Sequence, residues 1–191
     1  MAQPSTTADA IVQAARWTIA QGGPEKLTLS AVASAAGVSR PTLYRWFATK
    51  ADLLEAITIH EQQQFDDGLA VVIEAHRSPR RRLEAALRYL VTYLDTGTSP
   101  NSISADPAFA LKALNASLQP YATSLARLLD DALLEVPAVQ IGALSKEQAA
   151  ELFLRMAFSH FLIPHPDPEV FLATMCDFAQ ISRRAVRSVA G

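Results

Sequence analysis

The chain has 191 residues, of which 50% are hydrophobic and 19% are charged, and its formal net charge at pH 7 is −2. This length fits one medium domain or a small domain fused to a larger one, and the slightly acidic balance excludes a protein that coats nucleic acid without specificity. Cys176 is the only cysteine, which excludes an intramolecular disulfide and favours a reducing compartment.

The N-terminal sequence predicts no secretory signal, because it lacks a basic segment followed by an apolar one. No apolar run reaches the roughly 18 residues that a membrane-spanning helix requires. We therefore expect a cytoplasmic protein that does not enter the membrane.

The first part of the chain predicts three helices, the second and third of them short. The first helix runs from about Thr7 to Gln21 and ends at the Gly22-Gly23-Pro24 sequence. Thr28 and Ser39 are typical N-cap residues, and each precedes a short run with helical apolar spacing. Gly37 lies where the chain must turn between the second and third helices. This order is the layout of a helix-turn-helix.

The third predicted helix has one apolar side and one basic, aromatic side. Residues 26–50 contain four basic side chains and no acidic one. Helical spacing places Leu43 and Phe47 on the inner side of this helix, while Arg40, Tyr44 and Arg45 point outward. Such an outer face suits phosphates and base edges. The alternative is a compact three-helix segment whose basic face is simply solvated.

The motif is Gly-Val-Ser at residues 37–39, followed by Leu-Tyr-x-x-Phe at 43–47 and Lys-x-x-Leu-Leu at 50–54. Over about residues 7–60 the chain resembles the TetR-type family of bacterial transcriptional regulators. Family members bind operator DNA as homodimers through the N-terminal domain and sense small molecules through the C-terminal one. The resemblance implies DNA contacts by Thr28, Ser39, Arg40, Pro41, Thr42, Tyr44, Arg45, Trp46 and Lys50. Trp46 departs from the His or Tyr that many members carry at this position.

The rest of the chain is also predicted to be helical. In chain order, these helices span about residues 49–76, 78–95, 106–116, 119–135, 145–162 and 167–189, with a polar loop at 96–105 and a connector at 136–144. The prediction is therefore an all-α protein of about nine helices. It has a helix-turn-helix DNA-binding domain at 1–50 and an effector-binding and dimerisation domain at 51–191.

The last two predicted helices are apolar on more than one face, so one face can serve the subunit core and the other a partner. The resemblance implies a homodimer with a four-helix interface formed by these helices. The predicted interface residues are Leu152, Phe153, Met156, His160, Phe171, Met175 and Phe178. The alternative is that both faces are intramolecular core.

Apolar and aromatic residues of the middle helices predict a pocket for a small apolar or amphipathic effector. These residues are Phe65, Leu69, Leu90, Tyr93, Leu94, Phe109, Leu114, Tyr121, Leu125, Phe158 and Phe161. Each of them alone is more often an ordinary core residue.

Other chemistry finds little support in the sequence. The four histidines lack the spacing of metal ligands, so we predict no metal and no cofactor. No nucleophile motif or phosphate-binding glycine loop is present, so we predict that the chain is not an enzyme. The Arg80-Arg81-Arg82 run is interpreted as a solvated helix start rather than a second phosphate site. Two other functions stay open, namely a DNA-binding activator without a functional pocket and a helical small-molecule carrier or enzyme.

Overall fold

The computed structural model describes residues 6–23, 27–97 and 107–179. Within these ranges every regular element is an α-helix, which confirms the all-α prediction. The ten helices are α1 (Thr7–Gly22), α2 (Leu29–Ala35), α3 (Arg40–Trp46), α4 (Lys50–Glu74), α5 (Pro79–Gly97), α6 (Pro107–Leu128), α7 (Asp130–Leu133), α8 (Pro137–Gln140), α9 (Lys146–Leu162) and α10 (Pro168–Phe178). Most of the predicted 96–105 loop, and the last predicted helix beyond residue 179, lie outside the described residues. None of the described helices has the length and apolarity to cross a bilayer.

Side-chain caps set the starts of α4 and α9. The Thr49 Oγ1 atom accepts from the Asp52 backbone N–H at 3.1 Å, and the Asp52 carboxylate accepts from the Thr49 N–H at 2.9 Å. Ser145 and Gln148 form the same reciprocal capping box at α9. These local hydrogen bonds satisfy backbone donors that a helix start otherwise leaves unpaired.

The chain divides into two compact units. Of the described residues, unit 1 comprises 6–23, 27–64 and 107–112, and unit 2 comprises 65–97 and 113–179. The division falls inside α4 rather than at residue 50, where the sequence analysis placed it. The reason is packing, because Leu53 and Ile57 of α4 belong to the core of unit 1.

Unit 1 is a helix-turn-helix supported by α1 and the first part of α4. Its core contains Ile11 of α1, Val32 of α2, Leu43 of α3 and Phe47, the residue that follows α3. The turn between α2 and α3 has Gly37 at a φ of +67°, a left-handed conformation that disfavours residues with a Cβ atom. The Val38 N–H donates to the Ala33 carbonyl at 3.0 Å and closes the turn. This turn sets the direction in which α3 leaves the core.

The predicted break between residues 116 and 119 is wrong, because α6 continues through Pro120. A proline inside a helix removes one hydrogen bond and costs about 3 kcal/mol. Pro120 lies on the exposed side of α6, whereas Leu118, Tyr121 and Leu125 are buried on the other side. Burying a large apolar side chain contributes about 1.5–3 kcal/mol, so the buried residues on both sides of Pro120 offset the defect.

The predicted connector at 136–144 is also partly wrong, since it contains the short helix α8. Pro137 occupies the first turn of α8, where its missing N–H leaves no unpaired donor. The preceding predicted helix, 119–135, is replaced by the end of α6 and by α7, which are separated by Leu129.

Candidate nucleic-acid interface

The short helix α3 is fixed by its cap and by two buried side chains. The Ser39 Oγ atom accepts from the Thr42 N–H at 3.2 Å, and Pro41 lies in the first turn. Leu43 and Phe47 are buried in the core of unit 1. Because these two residues anchor one side of α3, the other side faces solvent.

The solvent side of α3 carries the predicted DNA contacts. Tyr44 is 52% exposed and Trp46 is 47% exposed, which are high values for large aromatic residues. Arg40, Pro41 and Arg45 are exposed as well. The structure thus presents two aromatic rings and two guanidinium groups on one short helix.

The two arginines of α3 differ from most others in the chain. Within the described ranges, neither Arg40 nor Arg45 contacts a carboxylate or another hydrogen-bond acceptor. Elsewhere, six arginines form ion pairs, namely Arg16, Arg80, Arg82, Arg88, Arg127 and Arg155. The guanidinium donors of α3 are therefore available to an external acceptor such as a phosphate or guanine.

The remaining predicted contacts surround α3. Thr42 is half-buried, and its Oγ1 atom lies 2.7 Å from Ser39 Oγ, so the threonine hydroxyl is occupied by the cap. Thr28 caps α2 by accepting from the Ala31 N–H at 3.1 Å, which leaves its own O–H able to donate. Lys50 is exposed at the start of α4. Whether these residues contact DNA stays a prediction.

Most of the predicted effector residues lie in the packed interior. Phe65, Leu69, Leu90, Leu94, Tyr121, Leu125, Phe158 and Phe161 are buried, Tyr93 and Leu114 are half-buried, and the Phe109 side chain is outside the described set. A pocket role for them therefore stays a prediction.

Three of these residues meet in an aromatic cluster. Phe65 stacks on Tyr121 with ring centroids 4.2 Å apart, and Tyr93 approaches Phe65 edge-on at 5.3 Å. Tyr89 completes the cluster at 5.7 Å from Phe65. Tyr89 was not among the predicted effector residues, although its i, i+4 spacing from Tyr93 on α5 is a signal for a shared face.

A separate small pocket in unit 2 has about 40 Å³ of free volume and contains none of the predicted effector residues. Its walls include Leu83, Leu87, Pro137 and Cys176. Burial raises the pKa of the Cys176 thiol, so it remains protonated near neutral pH. This environment favours an inert thiol over a reactive one.

The predicted dimer residues fall into two groups. Phe153, His160 and Met175 are buried within the subunit, and their role in an interface stays a prediction. Leu152 is 38% exposed and Phe178 is 51% exposed, while Met156 and Phe171 are half-buried. Both sides of α9 and α10 are apolar, so the helix patterns alone do not separate core residues from interface residues.

His160 and two arginines of the 80–82 run have partners within the structure. His160 is buried and stacks on Phe171 with centroids 4.4 Å apart, and its Nδ1 atom accepts from the His165 N–H at 3.2 Å. Arg80 pairs with Glu84 at 3.3 Å, and Arg82 pairs with Asp131 at 2.5 Å. In the part of the chain that is described, no cluster of three or more His, Cys, Asp or Glu residues has the arrangement of a metal site.

Comparison with known proteins gives one sequence match and several matches of fold. Residues 11–57 match the family described as bacterial regulatory proteins, tetR family. No curated protein matches the chain at a significant level.

Solved structures similar in fold cover nearly the whole chain. AibR in complex with isovaleryl coenzyme A and operator DNA has a TM-score of 0.60 and 22% identity, covering 90% of this chain and 97% of AibR. The fatty acid degradation regulator FadR from Bacillus halodurans has a TM-score of 0.62 and 20% identity, with 91% and 96% covered. FadR from Bacillus subtilis in complex with stearoyl-CoA has a TM-score of 0.58 and 17% identity, with 90% and 95% covered. At these identities the likeness establishes the fold alone.

Proposed function

We propose that this chain, whose residues 11–57 match the tetR family of bacterial regulatory proteins, is a cytoplasmic repressor that binds a palindromic operator as a homodimer. A small apolar or amphipathic effector releases it from the DNA. The observation that carries the proposal is the solvent side of α3, where Arg40 and Arg45 have no partner among the described residues and Tyr44 and Trp46 are half-exposed.

Each exposed group has a chemical partner in the major groove. Arg40 and Arg45 donate bidentately to guanine O6 and N7, a contact that discriminates by about 1–3 kcal/mol. Thr28, Tyr44 and Lys50 donate to phosphates and set the register of α3 without reading sequence. In a symmetric dimer the two α3 helices enter successive major grooves about 34–36 Å apart.

The direct experiment is selection of bound DNA from a random pool. The proposal expects an enriched palindrome, and binding to it should weaken steeply with salt because phosphate contacts release counterions. A protein that enriches no sequence is better explained as a helical small-molecule carrier. If a palindrome is enriched but the bound chain increases transcription, the activator alternative replaces the repressor.

Thr42 supports a more detailed prediction about the operator. Since its hydroxyl contacts Ser39, its methyl group is the part left to meet a base, and thymine presents a C5-methyl in the major groove. Burying one methyl contributes about 0.8 kcal/mol, or about fourfold in affinity. Replacing one thymine per half-site by deoxyuridine should therefore weaken wild-type binding about fourfold per half-site.

Two variants separate the methyl from the hydroxyl. Thr42→Ser keeps the hydroxyl and should lose the response to deoxyuridine, whereas Thr42→Val keeps the methyl and should retain it. Anisotropy titrations with thymine and deoxyuridine operators measure the difference. Equal sensitivity of Thr42→Ser and wild type at every thymine contradicts the assignment.

For the effector, we propose that it binds at the aromatic cluster of Phe65, Tyr93 and Tyr121. Two proteins of similar fold were solved with acyl-CoA thioesters, which are amphipathic compounds of the expected kind. We expect isovaleryl-CoA or stearoyl-CoA to raise the operator dissociation constant by about 5–150-fold, a typical range for allosteric coupling. Coenzyme A alone is the control. Unchanged operator binding with both thioesters excludes this class of effector.

Release requires that the effector bind the DNA-incompetent conformation more tightly than the competent one. Helix α4 is suited to carry such a change, because residues 50–64 belong to unit 1 and residues 65–74 belong to unit 2. In the proposal, a shift of α4 changes the spacing of the two reading helices in the dimer.

A further inference from the structure

Gly68 is an unusual residue for the interior of α4. It has no left-handed backbone that would require glycine, and glycine in a helix interior is about 0.5–1 kcal/mol less favourable than alanine. A Cβ atom at this position would lie 2.4 Å from the Tyr89 Oη atom and 2.9 Å from two carbons of the ring. Gly68 is therefore explained by the close approach of the Tyr89 ring to α4.

Polar and aromatic contacts hold the Tyr89 ring in this position against Gly68. Its hydroxyl donates to the Phe65 carbonyl at 3.1 Å, one turn before Gly68 on α4. Its ring packs 5.7 Å from Phe65 and 5.3 Å from Tyr93. Burial raises the pKa of the Tyr89 phenol, so the hydroxyl remains a donor across the physiological pH range. The ring thus joins α5 to the backbone of α4.

The same ring also belongs to the aromatic cluster. Phe65 and Tyr121 are stacked at 4.2 Å with an interplanar angle of 12°, which is direct contact. A compound that enters the cluster must move at least one of these rings. Because Tyr89 contacts both Phe65 and Tyr93, such a movement also changes how the Tyr89 ring packs against Gly68.

We propose that Tyr89, whose ring packs against Gly68, is a positioning residue. Through this ring, the aromatic cluster sets the position of α4 and therefore the operator affinity. The inference rests on the proposed function and adds the regulation of its effector site. In the operator-binding conformation, the Tyr89 ring packs against Gly68. Moving the Tyr89 ring away from Gly68 reproduces the action of the effector without any ligand.

Gly68→Ala tests the proposal in the full-length protein with the selected operator. In a simple helix position this substitution raises the melting temperature, because alanine is the better helix former. Here the new Cβ atom displaces Tyr89, so the melting temperature should fall and the operator dissociation constant should rise at least fivefold. Val71→Ala is the matched control, since Val71 is 68% exposed on the same helix, and it should leave operator affinity unchanged.

A second substitution establishes whether the effect passes through the ring. In a Tyr89→Ala background there is nothing left to displace, so adding Gly68→Ala should leave operator affinity unchanged and raise the melting temperature. Tyr89→Phe keeps the ring and loses the bond to the Phe65 carbonyl, and it should weaken operator binding about threefold, as expected for one hydrogen bond. This variant also serves as the test if Gly68→Ala does not fold.

Several results would overturn the inference. If Gly68→Ala raises the melting temperature and leaves operator affinity unchanged, the Tyr89 ring does not pack against Gly68. An equal loss of affinity with and without the Tyr89 ring shows that the effect does not pass through it, and unchanged binding by Tyr89→Phe removes the role of its hydroxyl. If the wild-type chain selects no DNA, the proposed function itself fails, and this inference fails with it.

Discussion

Replacing Arg40 and Tyr44 together by alanine is expected to abolish specific operator binding. Each bidentate arginine contact contributes about 1–3 kcal/mol, and the dimer loses two arginines and two tyrosines at once. The combined effect is a loss of about a thousandfold or more in affinity. Helical circular dichroism should not change, because both side chains are exposed and the core residues Leu43 and Phe47 remain.

Arg81→Ala is the matched control for the loss of a cation. Arg81 is exposed on α5 and, among the described residues, has no ion pair, as is also true of Arg40. This variant should bind the operator as wild type does in a gel shift. Unaltered selective affinity of the Arg40→Ala, Tyr44→Ala protein would defeat the assignment of α3 as the reading helix.

The second large effect is expected at the dimer surface. On α9, Leu152 and Met156 are one helical turn apart, Ile163 directly after the helix is 80% exposed, and Phe178 is exposed on α10. Introducing charge with Leu152→Glu and Phe178→Asp should desolvate a carboxylate against apolar surface and prevent association. The operator dissociation constant should then rise strongly, because a monomer binds one half-site without the affinity that the linked second half-site adds.

Light scattering measures this outcome. The wild-type chain should have about twice the monomer mass of 20.7 kDa, and the double variant should have the monomer mass. Leu134→Glu is the control, because Leu134 is a comparably exposed apolar residue outside α9 and α10. A wild-type protein with the monomer mass, or a double variant that remains dimeric, contradicts the proposed interface.

The DNA-binding segment was predictable because its signals are local. Thr28 and Ser39 cap α2 and α3 as expected, Gly37 has the positive φ that the turn requires, and the Leu43–Phe47 pair is buried. Each of these features depends on residues within one or two helical turns. The exposed side of α3 follows from the same spacing.

Sequence spacing is less informative where distant parts of the chain decide the outcome. Pro120 predicts a break, but burial of Tyr121 and its neighbours keeps α6 continuous. Phe153 and Met175 lie on apolar helices, and sequence spacing alone does not distinguish the face that packs inside the subunit. The contact between Gly68 and Tyr89 joins two helices and has no local signal beyond an isolated glycine.

A methylation-protection footprint on the selected operator tests directly whether α3 contacts base edges. Dimethyl sulfate modifies guanine N7 in the major groove, which is the atom that a bidentate arginine covers. We predict protected guanines in both half-sites, separated by about one helical turn of DNA, and loss of this protection in Arg40→Ala. A bound protein that leaves every guanine N7 reactive, or protects the same guanines without Arg40 and Arg45, would contradict it.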